Sequence, residues 1–196
     1  MSDGRTLAPA SFDEVVATVR ELQAAATPFA VSSGESAAGD GAVVVSVQRL
    51  SAIALRAGSL TLRAEAGALV SHVAAAAAGA ELAVVGLPAN AGARHVGVLV
   101  ARGEVPRRAI AGIEAVLSTG ESVKTGGSVL KDVVGYDLPA LLLGSAGRLA
   151  LITAVTFRLE PAAARTPVAP APGVSQSDDS AILRAFDPQG LLREAR

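Results

Sequence analysis

The chain contains no cysteine and no tryptophan, and aromatic residues make up only 3% of its 196 positions. Without cysteine there is no disulfide, zinc–thiolate site, iron–sulfur cluster or cysteinyl bond to a flavin. Few aromatic side chains are present to stack on nucleic-acid bases. The formal net charge is −1 and basic residues form no block, whereas binding to phosphate backbones requires clustered Lys and Arg. The composition therefore argues against nucleic-acid binding.

The sequence also lacks the features of a membrane protein. Its first ten residues do not show the positive-then-apolar pattern of a signal peptide. The best candidate for a membrane span, residues 138–157, carries Arg148 at its middle, and a charge at the bilayer centre costs at least ~2.5 kcal/mol on insertion scales. We therefore expect a soluble, cytoplasmic protein with no membrane span.

Small aliphatic side chains are abundant instead. Hydrophobic residues make up 51% of the chain and charged residues 18%. A chain of this length is sufficient for one well-packed domain or two small subdomains.

The most informative stretch joins a glycine-rich loop to a long apolar run near position 150. Asp137 is placed to cap a short helix over residues 138–143, and Gly144 is placed to end it. Residues 149–159 are rich in Leu, Ile, Val, Thr and Phe, which predicts a buried central strand.

This stretch resembles the FAD-binding domain of the vanillyl-alcohol oxidase (PCMH-type) superfamily, and most closely that of glycolate oxidase subunits. The family pattern is roughly GG-x-x-x-K-N/D-x-x-GYDL-x-x-L-x-x-GS-x-G-x-LG-x-x-T. A match along the whole pattern is specific, whereas GS-x-G alone is not. The matching positions are Gly126, Gly127, Lys131, Asp132, Gly135, Tyr136, Asp137, Leu138, Leu141, Gly144, Ser145, Gly147, Leu149, Ile152 and Thr153.

The resemblance implies FAD as the cofactor and suggests where it would bind. Residues 32–41 take the position of the family's pyrophosphate loop, in which small residues let backbone N–H groups approach two phosphates. Glu35 and Asp40 suit such a loop poorly, because a carboxylate near a phosphate is repelled; the alternative is a solvated connector between two strands. The implied cofactor-binding residues are Ser33, Gly34, Glu35, Ser36, Ala37, Gly97, Gly135, Tyr136, Asp137, Gly144, Gly147 and Ile152.

The two histidines form no metal site, because metal centres need more ligands than two isolated side chains supply. His72 is expected to be a surface or boundary residue of a helix, with a flavin attachment point as the alternative. His95 lies where the family carries Thr-x-Gly-Gly, of which only Gly97 remains and Val96 replaces a glycine. It is either a flavin contact or an ordinary boundary residue. The arginines at 102, 107 and 108 are expected on a solvated face, with phosphate binding as the alternative.

Local signals predict the remaining elements. Ser11 and Glu14 form a capping box for a helix over residues 11–26. Alternating residues predict a hairpin of strands 53–56 and 59–65, with Leu60, Leu62 and Ala64 on its buried face. The other predicted elements are strands at 28–32 and 42–47, a helix at 68–78 opened by Gly67, and a hairpin over 109–117 and 121–124.

The predicted fold is α+β, a PCMH-like FAD-binding domain of two subdomains. One is a small mixed αβ sheet with helices, and the other is a mostly antiparallel sheet flanked by helices. We expect residues 1–160 to form this domain, residues 161–180 to form a Pro/Ala-rich linker in place of the family's cap domain, and residues 181–196 to form a C-terminal helical tail. The tail sequence FDPQGLL resembles the end of glycolate oxidase-type chains.

The resemblance implies an FAD-binding subunit or minimal domain of a glycolate oxidase-like oxidoreductase acting on 2-hydroxy acids. Flavoprotein and iron–sulfur subunits would be its partners, because the cap that normally carries substrate-binding groups is missing. No catalytic residue is identified. The alternative is a flavin-free relative that serves as a structural or regulatory partner, supported by Glu35, Asp40, Val96 and Ala150. A free-standing oxidase would need the missing cap.

Overall fold

The computed structural model describes residues 5–33, 42–126, 137–164 and 180–193. Within them, the strands form two sheets, and both sheets and the helices contribute side chains to one hydrophobic core. In chain order the elements are β1 (Thr6–Leu7), α1 (Phe12–Ala24), β2 (Phe29–Ser32), β3 (Val43–Ser46), β4 (Ile53–Arg56), β5 (Thr61–Glu65), α2 (Val70–Ala78), β6 (Leu82–Val84), α3 (Val96–Ala101), β7 (Ile110–Val116), β8 (Ser122–Thr125), α4 (Leu138–Leu142), β9 (Leu151–Pro161), α5 (Ser180–Phe186) and β10 (Leu192–Arg193).

The first sheet has the order β1-β3-β2-β10, and each of these pairs is parallel. Helix α1 contributes Val15, Val19 and Leu22 to the core. It begins as the capping box predicts, because Ser11 Oγ accepts a hydrogen bond from the Glu14 backbone N–H at 3.2 Å. The helix ends at Ala24, two residues before the predicted end.

The second sheet has the order β4-β5-β9-β7-β8, with β6 also paired to β9, and its described pairs are antiparallel. Its central strand is β9, the long apolar run that the sequence predicts as a buried strand. Leu151, Val155 and Phe157 on it are fully buried. The α+β fold with two sheets is therefore confirmed.

One predicted core position is wrong. Leu60 was expected on the buried face of the hairpin, but its side chain is 45% exposed. Its φ of 48° takes the backbone into the left-handed region at the hairpin tip, so the alternation of the strand begins only at Thr61. Leu62 and Ala64 are fully buried, as predicted.

The C-terminal segment was predicted as a helical tail over residues 181–196, but its helix α5 ends at Phe186 and the strand β10 follows at Leu192–Arg193. After α5, the buried Asp187 accepts hydrogen bonds from the backbone N–H groups of Leu191 and Leu192 at 2.9 and 2.8 Å. The turn that results places β10 beside β2, and the Phe29 N–H donates to the Leu191 carbonyl at 2.9 Å. The tail thus completes the first sheet.

None of the helices in the described ranges is long and apolar enough to cross a membrane.

Candidate functional site

The carboxyl edge of the first sheet is lined by buried serines. Strands β2 and β3 end at Ser32 and Ser46, which are opposite each other in the parallel register. Ser33 follows directly, and all three residues are only 5% exposed. The predicted phosphate-binding residues Gly34, Glu35, Ser36 and Ala37 continue from this edge and lie outside the described residues. In open parallel sheets, ligands bind in the crevice outside the carboxyl ends of the strands.

A close backbone contact joins this edge to the second sheet. The Val47 N–H donates to the Ser32 carbonyl at 2.8 Å, so residue 47 is held at the end of β2. Opposite it, a Cβ on Gly67 would lie 2.2 Å from the Val47 carbonyl oxygen and 2.7 Å from that of Gln48. Only glycine permits this approach. The sequence identified Gly67 as the start of a helix but did not show that it connects the two sheets.

Gly97 lies next to this contact. Its N–H donates to the Ala66 carbonyl at 2.8 Å, while the Ala66 N–H donates to the Thr153 carbonyl at 2.9 Å. A Cβ on Gly97 would lie 3.0 Å from the Ala66 Cβ, so helix α3 starts in close contact with the end of β5. Because Ile152 precedes Thr153 in β9, the structure brings Gly97 and the β9 region of Ile152 to the same junction.

The predicted turn after α4 packs against the other end of α3. The N–H groups of Gly144 and Ala146 donate to the carbonyls of Val100 and Ala101 at 3.0 and 2.8 Å. Gly144, Ala146 and Gly147 have φ values of 79°, 52° and 74°, a compact turn that favours glycine. Gly97 and Gly144 are therefore placed at opposite ends of one six-residue helix.

Asp137 accepts hydrogen bonds from Arg107, which the sequence analysis predicted on a solvated face. Arg107 Nε and Nη2 donate to the Asp137 carboxylate at 2.9 and 2.7 Å, and Arg107 Nη1 donates to the Ile110 carbonyl at 2.8 Å. The hydrogen bonds from Arg107 lower the pKa of Asp137. Asp137 also caps α4 as predicted, by accepting from the Ala140 N–H at 3.3 Å. Its neighbours Gly135 and Tyr136, both predicted site residues, lie outside the described residues.

His95 is half-buried at the N-cap position of α3, and burial lowers the pKa of its imidazole. His72 is exposed on α2, as predicted. Val96 and Ala150, which replace family glycines, both lie in the core. In the described part of the chain, no group of three or more His, Cys, Asp or Glu side chains is placed to hold a metal ion.

A charged network on one face of the second sheet was not predicted. Glu114 in β7 accepts two hydrogen bonds from Arg63 in β5, at 2.9 and 2.8 Å. Lys124 in β8 lies 3.0 Å from the same carboxylate. Hydrogen bonding to Arg63, followed by that to Lys124, lowers the pKa of Glu114 to about 2. The network ties together strands on both sides of β9 and stabilises the sheet that carries Ile152.

No protein-family model matches the chain. The chain is 43% identical over 72 residues to an uncharacterized FAD-linked oxidoreductase of Mycobacterium tuberculosis, a match that covers 37% of this chain and 16% of that protein. It is 44% identical over 57 residues to the glycolate oxidase subunit GlcD of Bacillus subtilis, covering 29% and 12% of the two chains. It is 30% identical over 171 residues to the D-lactate dehydrogenase of Archaeoglobus fulgidus, covering 78% and 38%.

Solved structures share the fold at low sequence identity. A Phl p 4 variant described as a glucose oxidase superposes with a TM-score of 0.68 at 16% identity, covering 82% of this chain and 36% of that one. The chain thus matches well under half the length of its relatives. Taken together, these likenesses identify it as a homologue of FAD-linked oxidoreductases, including the glycolate oxidase subunit GlcD and D-lactate and D-2-hydroxyglutarate dehydrogenases, with the PCMH-type FAD-binding fold.

Proposed function

We propose that this chain is the FAD-binding domain or subunit of a flavin-dependent oxidoreductase that acts on 2-hydroxy acids. The observation that carries the proposal is the junction of Gly67, Ala66 and Gly97, at which the two sheets and helix α3 come into close backbone contact with one another. This junction lies beside the serine-lined edge of the first sheet. Relatives that are FAD-linked or act on D-lactate and D-2-hydroxyglutarate support the assignment.

The residues at the junction suit a large, polar cofactor. The carboxyl edge at Ser33 suits phosphates, because the loop that follows is rich in small residues whose N–H groups can approach anions. Gly97, Gly144 and Gly147 allow backbone groups to approach a flat ring system without side-chain interference. The Ser145 Oγ is buried and has no hydrogen-bond partner among the described residues, as expected of a group that a ligand satisfies.

Individual roles follow from these positions. Ser33, Gly34, Glu35, Ser36 and Ala37 would hold the pyrophosphate through their backbone, with the Glu35 carboxylate turned away from it. A second group would surround the rest of the cofactor, comprising Gly97, Gly135, Tyr136, Asp137, Gly144, Gly147 and Ile152. The role of Asp137 is to hold the backbone of this region in place, because its carboxylate accepts a hydrogen bond from Arg107 and caps α4.

Bound FAD supplies the hydride acceptor for oxidation of the alcohol carbon. The protein's part is to bind and orient the cofactor and to exclude water from the reacting face. Oxidation of a 2-hydroxy acid also needs a cation for the substrate carboxylate and a group that accepts the hydroxyl proton. We propose that other subunits, a flavoprotein and an iron–sulfur protein, complete the substrate site and remove the electrons.

The proposal is tested by mixing the FAD-loaded protein, together with the subunits that complete the substrate site, anaerobically with glycolate, D-lactate or D-2-hydroxyglutarate and following the visible flavin absorption. We expect bleaching by at least one of these acids and none by glucose, which serves as the control alcohol. An assembled complex that retains FAD but is bleached by none of the three acids would contradict the substrate class. A protein that takes up no FAD would instead support the flavin-free structural or regulatory partner.

A further inference from the structure

The C-terminal tail, residues 180–193, contacts both sheets of the fold. On the side of the second sheet, the buried Ser118 lies just after β7, and its hydroxyl donates to the Phe186 carbonyl at the end of α5 at 3.2 Å. On the side of the first sheet, β10 pairs in parallel with β2, and the Phe29 N–H donates to the Leu191 carbonyl at 2.9 Å. The tail therefore forms a bridge between the two sheets.

The link between these two attachment points is short and internally bonded. Asp187 follows Phe186 directly, and its buried carboxylate accepts hydrogen bonds from the Leu191 and Leu192 N–H groups at 2.9 and 2.8 Å. The Gly190 N–H donates to the Asp187 carbonyl at 3.1 Å, and the φ of Gly190 is 63°. A turn held in this way transmits a displacement of one sheet to the other.

Apolar contacts hold the tail on the protein without enclosing it. Leu191 and Leu192 are buried, and Ile182, Leu183 and Phe186 are partly buried against the same core. Helix α5 has no fully buried residue among those described. Segments with few buried contacts open without global unfolding, so we expect the tail to exchange its amide hydrogens by local opening.

The tail and the Gly67 contact join the two sheets at opposite ends of the first sheet. The Gly67 contact lies at the carboxyl ends of the strands, where the Val47 N–H is bonded to the Ser32 carbonyl. The tail pairs with Phe29, which precedes Ser32 in β2 by roughly 10 Å along the strand. Two contacts separated along a strand block a rotation of the sheets that either contact alone would allow. Such a rotation would move the serine-lined edge relative to Gly97.

We propose that the tail is a clasp for the cofactor, so that its docking across both sheets and the binding of FAD favour each other. The inference rests on the proposed function, because it requires FAD to span the serine-lined edge and the junction at Gly97. When the tail is docked, the two halves of the site are already held in place, and FAD does not have to order them. By linkage, bound FAD lowers the population of the open tail by the same factor.

The first test is hydrogen exchange of the wild-type protein with and without saturating FAD. We expect FAD to slow exchange of the Leu191, Leu192 and Phe29 amides by about tenfold, a typical coupling between two sites. The Ala162 amide is the control, because its N–H donates to the Glu81 carbonyl at 3.0 Å at the end of β9 remote from the candidate site. A local opening that is not coupled to FAD binding keeps its rate.

The second test measures the Kd for FAD by fluorescence quenching in four variants. Asp187→Ala removes the acceptor that holds the turn, and we expect the Kd to rise about tenfold; Asp187→Asn keeps one acceptor oxygen and should recover part of this loss. Ser118→Ala removes the attachment to the second sheet and should raise the Kd about threefold while the exchange of Phe29 stays unchanged. Val84→Ala, a buried position of β6 away from the tail, destabilises the core and should leave the Kd unchanged.

Three results would overturn the inference while leaving the proposed function intact. One is exchange of the tail amides that FAD does not slow. Another is a wild-type Kd in Asp187→Ala although its Phe29 amide exchanges faster. The third is a Kd in Val84→Ala raised as much as in Asp187→Ala, which would make the effect one of general stability. If Asp187→Ala does not fold, the wild-type exchange and Ser118→Ala decide the question. Failure of the wild-type protein to bind FAD would refute the proposed function itself, and the inference with it.

Discussion

Substitution of Gly67 by alanine tests whether the close backbone contact between the two sheets holds the site together. The added Cβ would lie 2.2 Å from the Val47 carbonyl oxygen and 2.7 Å from the Gln48 oxygen. Both are backbone atoms, and the Val47 oxygen already accepts a hydrogen bond from the Leu50 N–H at 3.0 Å. The backbone has to move by more than 1 Å or so to reach ordinary contact distance.

The cost of this displacement can be estimated from other overpacked sites. Inserted methyl groups in well-packed regions cost about 1–3 kcal/mol, and contact with hydrogen-bonded backbone places Gly67→Ala at the upper end, about 3 kcal/mol. With a urea m-value near 2 kcal/mol/M for a chain of this size, the unfolding midpoint falls by about 1–1.5 M. Because the sheets move apart at the edge that carries Ser33, we also expect FAD binding to weaken at least about tenfold.

Gly58→Ala is the matched control, since a Cβ at Gly58 meets no atom within 4 Å. It is expected to change the free energy of unfolding by no more than about 0.5 kcal/mol and to leave FAD binding unchanged. The reasoning would be refuted if Gly67→Ala unfolded at the same urea concentration as Gly58→Ala and bound FAD equally well.

Three further perturbations follow from the described contacts. A carboxyl group whose pKa is lowered in the folded state stabilises the fold at pH values above its pKa in the unfolded state. The contribution of Glu114, about 3 kcal/mol, is therefore present above pH 4.5 and lost as the pH falls toward 2. Glu114→Gln should weaken the dependence of the free energy of unfolding on pH in urea unfolding, and an unchanged pH dependence would contradict the prediction. Arg107→Ala should lower the protection of backbone amides against hydrogen exchange at the start of α4. The loss of free energy of unfolding should be about 1 kcal/mol or less, because the Arg107–Asp137 pair is solvent-exposed. Equal protection in Arg107→Ala and in the exposed control Arg108→Ala would argue against this contact. Asp187→Ala should lower the free energy of unfolding by about 2 kcal/mol, because it leaves two N–H groups unpaired. It should also release β10 from β2, which is detected as faster hydrogen exchange of the Phe29 amide. Unchanged hydrogen exchange of this amide would show that β10 packs on β2 without the carboxylate.

Elements with strong local signals could be predicted from the sequence. Helix α1 follows from the Ser11–Glu14 capping box, and α4 follows from Asp137 before it and Gly144 after it. The apolar run of β9 predicts a central strand because it is rich in the β-branched residues that favour strands, and a strand between two neighbours can be buried on both faces. These features depend on residues a few positions apart, and a single chain displays them directly.

Contacts between distant residues could not be predicted in this way. Arg107 meets Asp137 across thirty positions, and nothing in its local sequence separates it from the exposed Arg108. The short strand β10 has too few residues to show a period, and its parallel pairing with β2 depends on the turn held by Asp187. Nothing in the local sequence distinguishes Gly67 from other glycines, yet the carbonyl oxygens of Val47 and Gln48 lie too close to its Cα to leave room for a side chain. Most of the candidate site is built from contacts of this second kind.

The central claim is that this fold binds FAD, and the visible absorption spectrum tests it most directly. The purified protein is incubated with FAD, desalted and compared with an untreated sample and with Gly34→Val, which places a β-branched side chain in the predicted phosphate loop. We predict a flavin band retained by the wild type and lost in the variant. A colourless wild-type protein after desalting would contradict the claim, and equal flavin content in both proteins would contradict the placement of the phosphates.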